Sequence, residues 1–416
     1  MRVAVVLIVV VSTASAGADV FRILDDPADA LQARVDIIQQ AESEVHALYF
    51  LARDDRITLG ALALLREARG RGVGSVKLIV DANFSHIPKA VLAHLRDEGV
   101  HIRVYHPITL RHPSWLLRRM HEKVVIVDGE RYIAGGRNLA EAYFGLAKKN
   151  YVDRDVYVDG ASAADADRHF ENLWNSGHVA DLRVSVSDRD KEQAALRLTA
   201  ALATLARENV IALDTGEDWS ADQKDAGTVR FLHDPVHADD GPRVAQSFMA
   251  ILENARTSIV IESPYLVPSK SLLQLFERKL KEGVTVTVLT NSLRSCDGVL
   301  PQAGYLKYRR RLLRSGIDLR EYRGPDMLHA KTAVVDGRVV MVGSYNLDPR
   351  SQNLNTEAIC VAEDEEIARE VLASIDAHLA NAWTVGSASR GPRERRSQRF
   401  RVWAARLLLP LIENQL

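Results

Sequence analysis

His121-Glu-Lys123-Val-Val-Ile-Val-Asp128, continuing to Gly135-Gly136-Arg-Asn138, is the first of two copies of one signature in this chain. The second is His329-Ala-Lys331-Thr-Ala-Val-Val-Asp336, continuing to Gly343-Ser344-Tyr-Asn346, and every matched pair lies 208 residues apart. A single H-x-K-x-x-x-x-D pattern arises by chance in roughly one chain of this size in a few tens. Two copies at a constant offset indicate an internal duplication. The alternating valines and isoleucines predict a strand on which histidine and lysine share one face.

The chain is long enough for two domains and has almost no net charge. Its 416 residues can form two separate cores. Its 54 lysines and arginines are balanced by 55 aspartates and glutamates, whereas a non-specific nucleic-acid binder usually has a basic excess. The composition therefore argues against a nuclease and predicts no nucleic-acid partner. The two cysteines, Cys296 and Cys360, fit either core thiols or one disulfide.

The two ends of the chain have distinctive compositions. Met1 and Arg2 precede an apolar run and an Ala-x-Ala box, so residues 1–16 are predicted to be a cleaved signal peptide. An uncleaved N-terminal anchor is the alternative. Residues 391–416 combine several arginines with Trp403 and a leucine-rich end, a composition typical of a basic amphipathic helix at an anionic membrane surface. The alternative for this tail is that it covers the apolar edge of a domain.

The duplication extends beyond the motif. Arg22-Ile-Leu24-Asp-Asp26-Pro27 and Arg230-Phe-Leu232-His-Asp234-Pro235 are also 208 residues apart. After each of these segments, β-branched strands alternate with helices that have apolar residues at spacings of three and four. This alternation predicts an α/β fold, with a sheet and flanking helices in each half.

The repeat also sets the predicted domain boundaries. The first domain is expected to comprise residues 17–176 and the second residues 229–390. Residues 177–228 are polar and rich in alanine, so they are predicted to be a connector. Its helical stretch, about 191–207, is expected to pack on the surface, and the alternative is that it extends over the active site.

The paired motif resembles the phospholipase D superfamily, in which two such motifs from two halves of a chain build one phosphodiester-transfer site. The flanking residues resemble the bacterial cardiolipin synthase branch, especially its C-type members, over nearly the whole chain. These flanks are Arg118-Arg119-Met120 before the first motif, Ala142-Tyr143-Phe144 after it, and Asn346-Leu-Asp348-Pro349-Arg350-Ser351 and Leu354-Asn355-Thr356-Glu357 after the second. The resemblance implies two similar domains with mixed sheets, related by a pseudo-two-fold axis, and an active site between them.

Transfer of a phosphodiester needs a nucleophile, an acid and fixed positive charge, and the two motifs contain all three. One neutral histidine attacks phosphorus to form a phosphohistidine, while the other protonates the leaving oxygen and later takes a proton from the incoming alcohol or water. The residues alone leave the two roles interchangeable. The resemblance assigns His121 as nucleophile and His329 as general acid/base. Lys123 and Lys331 are predicted to supply the positive charge, so neither a metal ion nor a cofactor is expected.

Other side chains are predicted to assist these groups. Asn138, Asn346 and Ser344 are expected to bind the non-bridging phosphate oxygens. Each histidine also needs a carboxylate on its far nitrogen to fix its tautomer. Glu357, on a strand-like run after the second motif, and Asp155, at the corresponding place in the first half, are predicted to do this.

The aspartates that end the two motifs are Asp128 and Asp336. Each stands at an Asp-Gly turn that leads out of the strand, where an aspartate can cap the turn. The resemblance implies that they are structural supports within the catalytic motif, and direct catalysis is the alternative.

These residues predict a membrane-surface phosphatidyltransferase that forms a cardiolipin-type lipid. It would transfer a phosphatidyl group from one phospholipid to His121 and then to a glycerol-headed acceptor such as phosphatidylglycerol. A hydrolytic phospholipase D is the closest alternative. A phosphodiesterase or nuclease is less favoured, because both motifs lie in one chain, which also predicts a monomer. A catalytically inactive lipid-binding module is expected to have lost a motif histidine or lysine, and neither copy has.

The predicted signal peptide implies a location. The protein is expected to be exported and to lie peripherally on the periplasmic side of the bacterial inner membrane. Its expected partners are phospholipid substrates and the anionic membrane surface. The donor lipid, the acceptor lipid and any accessory protein are open at this point.

Overall fold

Two eight-stranded sheets with the same strand order form the centre of the protein. The computed structural model describes residues 19–386, apart from 108, 110–111, 222, 224–225, 238–240 and 242, together with residues 402–405. The predicted signal peptide, residues 1–16, and all of the predicted tail except residues 402–405 lie outside the described residues.

Each half of the chain contributes one mixed sheet. The strands of the first half are β1 (Val20–Leu24), β2 (Glu44–Tyr49), β3 (Ser75–Asp81), β4 (His101–Tyr105), β5 (Lys123–Val127), β6 (Arg131–Gly135), β7 (Tyr151–Val152), β8 (Asp155–Asp159) and β9 (Val179–Asp181). The strands of the second half are β10 (Arg230–His233), β11 (Ser258–Glu262), β12 (Thr285–Asn291), β13 (Asp318–Tyr322), β14 (Met327–Leu328), β15 (Thr332–Val335), β16 (Val339–Gly343), β17 (Ala358–Glu363) and β18 (Ala382–Thr384).

The two sheets have matching topology. The first has the order β1-β8-β6-β5-β2-β3-β4-β9 and the second the order β10-β17-β16-β15-β11-β12-β13-β18. Strands β2, β3 and β4 are parallel, as are β11, β12 and β13. The motif strands β5 and β15 are antiparallel to both of their neighbours, at the centre of each sheet. The short strands β7 and β14 pair with each other and so join the two halves.

Helices cover both faces of the sheets. They are α1 (Pro27–Gln39), α2 (Arg56–Gly70), α3 (Lys89–Asp97), α4 (Ser162–Trp174), α5 (Asp188–Arg207), α6 (Val244–Glu253), α7 (Lys270–Lys281), α8 (Val299–Ser315), α9 (Pro349–Asn353) and α10 (Glu365–Ala380). The sequence explains where several of them begin. Asp26 accepts hydrogen bonds from the N–H groups of Ala28 and Asp29, with Pro27 as the first helical residue.

The alternating strand pattern separates two kinds of core. Val125 and Val127 of β5 face an outer cluster with residues of α1, α2, α3 and α5. Val124 and Ile126 face the opposite way, into a cluster that contains residues of both sheets as well as α4 and α10. The two halves therefore share one buried core and are not joined only by a linker.

The predicted connector, residues 177–228, is part of the first half. Strand β9 extends the first sheet by pairing with β4. The buried face of helix α5, which includes Leu198 and Leu202, belongs to the same cluster as α2 and α3. Trp219 donates a hydrogen bond to Asp36 of α1 at 2.9 Å. The boundary predicted at residue 176 is therefore wrong, because the polar composition of this region reflects only its solvent-facing side.

The described part of the tail packs on the second half. Val402 and Ala405 are buried in a small cluster with Leu293 and Ala303, while Trp403 is 56% exposed. At these four residues the tail covers an apolar edge of the domain. Both cysteines are free thiols, so they do not form the disulfide that the sequence left open. Within the described part of the chain, no helix has the length and hydropathy needed to span a membrane.

Candidate active site

The backbone of each motif histidine forms a hydrogen bond with the backbone of the opposite half. His121 lies two residues before the first residue of β5, and its N–H donates to the carbonyl oxygen of Thr356 at 2.9 Å. His329, at the equivalent motif position, lies three residues before the first residue of β15, and its N–H donates to the carbonyl oxygen of Val152 at 2.7 Å. This pair of equivalent contacts brings the two motifs together at the interface between the halves.

Each histidine is also held by a carboxylate from the opposite half. Nδ1 of His121 lies 2.9 Å from Oε2 of Glu357, and Nδ1 of His329 lies 2.5 Å from Oδ2 of Asp153. Both carboxylates are completely buried. A carboxylate at Nδ1 favours the tautomer with the proton on that nitrogen, which leaves the Nε2 lone pair available. The sequence predicted Glu357 correctly as a neighbour of a histidine, and Asp153 was missed.

Asp155 does not contact either histidine, so its predicted orienting role is wrong. Its carboxylate instead accepts hydrogen bonds from Nη2 of Arg34 at 2.7 Å and from the backbone N–H of Arg137 at 3.1 Å. Nη1 of Arg137 also lies 3.2 Å from this carboxylate. Asp155 therefore neutralises two buried arginines that join α1 to the loop after β6.

Strand register explains the difference between the two aspartates. Gly135 pairs with Asp155 in the first sheet, and Gly343 pairs with Ile359 in the second, so Asp155 is the counterpart of Ile359. The counterpart of Glu357 is then two residues before Asp155, which is Asp153. The chain between Gly135 and Asp155 is four residues longer than the chain between Gly343 and Ile359, and this insertion hides the correspondence in the sequence.

A small residue after each motif accommodates the carboxylate. A Cβ atom on Gly136 would lie 2.0 Å from Oδ1 of Asp153, so only glycine fits there. The equivalent residue in the second half is Ser344, which donates a hydrogen bond from its hydroxyl to Glu357 and accepts one from the N–H of Ala358 at 3.0 Å. Ser344 was predicted to bind phosphate, but the structure uses its hydroxyl to hold the orienting carboxylate.

The two predicted phosphate-binding asparagines differ in their surroundings. Asn138 donates to the Tyr143 hydroxyl at 2.9 Å and accepts from the N–H of Leu51 at 3.1 Å, so its amide supports neighbouring loops. Oδ1 of Asn346 is buried and has no hydrogen-bond partner among the described residues. A buried polar atom without a partner is costly, so this oxygen is a candidate acceptor for a donor group of a ligand. It does not support the predicted phosphate contact, because an amide oxygen and a phosphate oxygen are both acceptors.

Both motif lysines are buried beside the histidines, and each Nζ donates to the carbonyl oxygen of its own motif histidine. Burial lowers the pKa of Lys123 to about 7, against the opposing effect of Glu357. Burial likewise lowers the pKa of Lys331 to about 8, against the effect of Asp153. The site therefore holds positive charge that has lost its solvation, and an anionic ligand would restabilise it.

The histidines are held in their neutral forms. Burial lowers the pKa of His121 to about 4, with Glu357 acting in the opposite direction and Lys123 in the same direction. Burial and the charge of Lys331 lower the pKa of His329. Although burial alone would raise the pKa of Glu357, His121 and Lys123 outweigh it and hold that pKa below its usual value. A neutral imidazole beside an ionised carboxylate is a competent nucleophile.

Asp128 and Asp336 lie at the far ends of the motif strands. Asp128 is five residues beyond Lys123, or about 16 Å along the strand. Its carboxylate accepts hydrogen bonds from the N–H groups of residues 42–44, at 2.7 to 3.2 Å. Asp336 makes the equivalent contacts with residues 256–258, at 2.7 to 3.0 Å. Both residues therefore fix the start of the neighbouring strand, and neither is near the histidines.

Different aromatic side chains surround the two histidines. The Phe50 ring packs edge-on against His121, with ring centroids 4.8 Å apart. Tyr143 and Tyr151 stack on each other and lie 5.3 Å and 5.2 Å from the His329 ring. The aromatic ring beside His121 is therefore apolar, while the two rings beside His329 carry hydroxyl groups.

One group of described side chains has the spacing of a metal site. It consists of Glu44, His46 and Asp167. Both nitrogens of His46 already have partners, Asp167 at 2.7 Å and Ser75 at 3.0 Å. His46 pairs with Ile126, the fourth of the five residues of β5, so the group lies away from the end of that strand where His121 stands.

Two duplicated α/β halves that bring two His-x-Lys strands to one interface define the phospholipase D class of proteins. The chain matches the family model described as "Cardiolipin synthase, PLD-like domain" over residues 35–174 and 248–379. Cardiolipin synthase C of Escherichia coli strain K12 is 30% identical over 390 residues, which cover 83% of this chain and 82% of the relative. The protein belongs to this cardiolipin synthase family of PLD-like proteins.

Two further comparisons cover most of the chain. An uncharacterized protein of Helicobacter pylori strain J99 is 27% identical over 400 residues, which cover 87% of this chain and 79% of that one. The crystal structure of phosphatidylserine synthase from Haemophilus influenzae Rd KW20 covers 96% of this chain with a TM-score of 0.71 and 16% identity, and 97% of that chain is aligned. This likeness shows that the two proteins share the two-domain fold.

Proposed function

We propose that the protein is a phosphatidyltransferase that forms a cardiolipin-type lipid through a phosphohistidine intermediate. The observation that carries the proposal is the pair of histidines, His121 and His329, each held at Nδ1 by a buried carboxylate of the opposite half. Family membership and the similarity to a cardiolipin synthase support the choice of phospholipid as substrate.

The first step forms the covalent intermediate. Nε2 of His121 attacks phosphorus, a P–N bond forms, and the P–O bond to the departing alcohol breaks. His329 gives a proton to that alcohol. In the second step the hydroxyl of an acceptor bonds to phosphorus, its proton passes to His329, and the P–N bond breaks. With two phosphatidylglycerol molecules as substrates, the products are cardiolipin and glycerol.

The negative charge of the substrate allows His329 to take up the proton that it donates in the first step. In the free protein, burial and Lys331 keep the pKa of His329 low. A bound phosphodiester brings a negative charge next to this cluster, which raises the pKa of His329 as well as those of Lys123 and Lys331. Binding of the correct anion therefore prepares the acid for the first step. The two lysines supply the charge stabilisation that other enzymes obtain from metal ions.

An exposed apolar segment supports action at a membrane surface. Residues 106–120 join β4 to His121, whereas residues 323–328 make the same connection in the second half. The longer segment exposes Leu116 by 49% and Leu117 by 38%, next to the exposed Arg118. Leucines followed by a cation suit the boundary between acyl chains and anionic head groups. Export by the predicted signal peptide would place this monomer on the periplasmic side of the inner membrane.

The proposal is tested with the purified full chain and phosphatidylglycerol vesicles in EDTA, followed by mass spectrometry of the lipids. We expect cardiolipin and glycerol from the unaltered protein. We expect no turnover from His121→Ala or His329→Ala, because nucleophile and acid act as a unit. Phosphatidic acid as the main product would favour the hydrolytic alternative. Substantial activity in both variants would exclude the two-histidine mechanism, and a phosphorylated peptide containing His329 would reverse the two roles.

A further inference from the structure

A polar cavity opens beside His329. It has a volume of about 730 Å³, and its lining includes Tyr143 and Tyr151, the two rings that pack against His329. Leu51, the neighbour of Phe50, also lines it. His329 itself does not line the cavity, and the two tyrosine rings connect the cavity to the histidine that is proposed to exchange protons with alcohols.

In-line displacement determines which substrate group enters this cavity. The entering and leaving groups at phosphorus lie on opposite sides of it. With His121 as the nucleophile, the alcohol of each step must lie on the opposite side, where His329 can exchange a proton with it. The cavity, which reaches the two tyrosine rings that pack against His329, lies on that side.

The acidic side chains of the cavity already have partners. Asp54 forms an ion pair with Arg197 at 2.5 Å, and Glu141 forms one with Arg56 at 2.7 Å. Asp55 accepts hydrogen bonds from the N–H groups of residues 58 and 141, at 3.1 Å and 2.9 Å.

The remaining acid in the lining is Asp297. It accepts hydrogen bonds from the hydroxyls of Tyr151 and Tyr265 at 3.1 Å and 3.2 Å. A carboxylate that orients two hydroxyl groups suits binding of a polyhydroxy compound.

The two cationic side chains of the cavity have fewer hydrogen-bond and ion-pair partners among the described residues than its acidic side chains have. The Arg53 side chain is exposed and forms no hydrogen bond or ion pair with another described residue. Lys149 is exposed, and its one hydrogen bond within the described part of the chain is long, 3.4 Å to the carbonyl oxygen of Ser295. Both residues line the cavity. Two cations without a paired carboxylate form a suitable site for an anion.

The duplication shows that this charge is specific to one side of the active site. The N–H of Arg53 donates to the carbonyl oxygen of Leu139, and in the second half the N–H of Val267 makes the same contact with Leu347. Val267 is therefore the counterpart of Arg53, and it is buried and apolar. Since the fold accepts valine at this position, the arginine is not required by the backbone arrangement.

We propose that this cavity is the acceptor subsite, in which Arg53 and Lys149 bind the phosphate group of an anionic, glycerol-headed acceptor while its free hydroxyl lies at His329. The inference rests on the proposed function and specifies its second substrate. In the transfer step the acceptor oxygen bonds to phosphorus as the P–N bond to His121 breaks, and the hydroxyl proton passes to His329. The subsite selects an alcohol that already bears a phosphate over water or a neutral alcohol.

The experiment is a competition between two acceptors in one reaction. The full chain receives short-chain phosphatidylglycerol as the donor, with deuterated glycerol and glycerol 3-phosphate present together. Mass spectrometry gives the ratio of the phosphorylated product to the deuterated neutral product. We expect Arg53→Gln and Lys149→Gln each to lower this ratio by about tenfold, the effect of losing a charge-assisted contact, and Arg53→Lys to restore part of it.

Arg183→Gln is the matched control, because Arg183 is an exposed arginine of the same half that does not line the cavity. We expect it to leave the ratio unchanged. An unchanged ratio in both cavity variants would overturn the subsite, as would an equal fall in the control, which would indicate a general charge effect. If the unaltered protein formed cardiolipin from the donor but no product with either added acceptor, the subsite alone would be overturned. If it formed no transfer product at all, cardiolipin included, the proposed function itself would fail, so the two failures are distinguishable.

Discussion

Asp153 and Asp155 are identical residues two positions apart, and their surroundings give them different physical roles. Asp153 faces His329 and Lys331, which are both able to lose a proton. Asp155 faces Arg34 and Arg137, which cannot lose theirs in a protein. Removal of the carboxylate should therefore lower the free energy of unfolding only slightly at residue 153, and much more at residue 155.

This contrast predicts opposite effects for two matched substitutions. Asp153→Asn should lower kcat by about 10- to 100-fold with little change in stability, because His329 loses its orienting partner. Asp155→Asn should lower the free energy of unfolding by about 3 kcal/mol, because two buried guanidinium groups lose their counter-charge. Turnover of a soluble phosphodiester and urea denaturation separate the two effects. A fully active Asp153→Asn variant would show that this carboxylate does not orient the acid.

The buried charges also predict the pH dependence of catalysis. His121 must be neutral to attack, and because its pKa is about 4, kcat/KM should fall on acidification only near pH 4 and not near 6.5. Lys123 and Lys331, with pKa values of about 7 and about 8, lose their charge as the pH rises, so an alkaline fall is expected in that region. Circular dichroism over the same range monitors folding. An acidic limb near pH 6.5 in folded protein would contradict the buried neutral nucleophile.

Among the elements, the connection that leads to the motif histidine differs in length between the halves, with residues 106–120 in the first and residues 323–328 in the second. Leu116→Ser together with Leu117→Ser should weaken binding to anionic vesicles, because less apolar surface is then available at the interface. Leu196→Ser is the control, since Leu196 is 71% exposed on the solvent-facing side of α5, away from the active site. Vesicle sedimentation measures binding, and turnover of a soluble substrate should persist. Equal losses in all variants would argue against a specific membrane contact.

The strands were predictable from the sequence because the sheets have an apolar core on both faces, so their strands are rich in apolar residues. The β-branched strands predicted after the start of each half are present, for example β2 (Glu44–Tyr49) and β11 (Ser258–Glu262). The extent of the first domain was not predictable from composition. Helix α5 buries only a narrow stripe of leucines and alanines and exposes the rest, so it resembles a linker in sequence.

At the level of the whole molecule, a fully buried arginine joins the two halves. Arg154 is 0% exposed and forms ion pairs with Asp25 of its own half and Glu262 of the other, each at 2.7 Å. It also donates to Thr332 at 2.9 Å and to Ser374 at 2.7 Å, both in the second half. A planar guanidinium can serve several acceptors at once, which a lysine cannot.

Arg154→Ala should therefore be strongly destabilising. The substitution leaves the buried carboxylate of Glu262 without this counter-charge, and losses of about 3–5 kcal/mol are usual when one partner of a buried pair is removed. Urea denaturation of the full chain measures the change. Arg230→Ala is the control, because the Arg230–Glu363 pair is about half exposed and should contribute little. Similar stability of the two variants would contradict the importance of the interface charge.

The arrangement of the halves also explains why only part of the site was predictable. The duplicated motif identified the histidines and lysines, since these residues occupy equivalent strand positions. The partners of the histidines come from the opposite half, and a repeat within one chain does not specify such cross-contacts. The matched carboxylates are also 204 residues apart, not 208, because the intervening loops differ in length.

The crossed carboxylates have a consequence for a chain that is still being synthesised. His121 precedes Glu357 by 236 residues, and Asp153 precedes His329 by 176. A nascent or truncated chain that has only its first half carries a histidine without its orienting partner and an aspartate without its histidine. It has neither a complete nucleophile nor a proton donor. For a protein proposed to act on membrane phosphodiesters, an unfinished copy is thus expected to be inactive. Activity begins only when the second half has been synthesised and has joined the first.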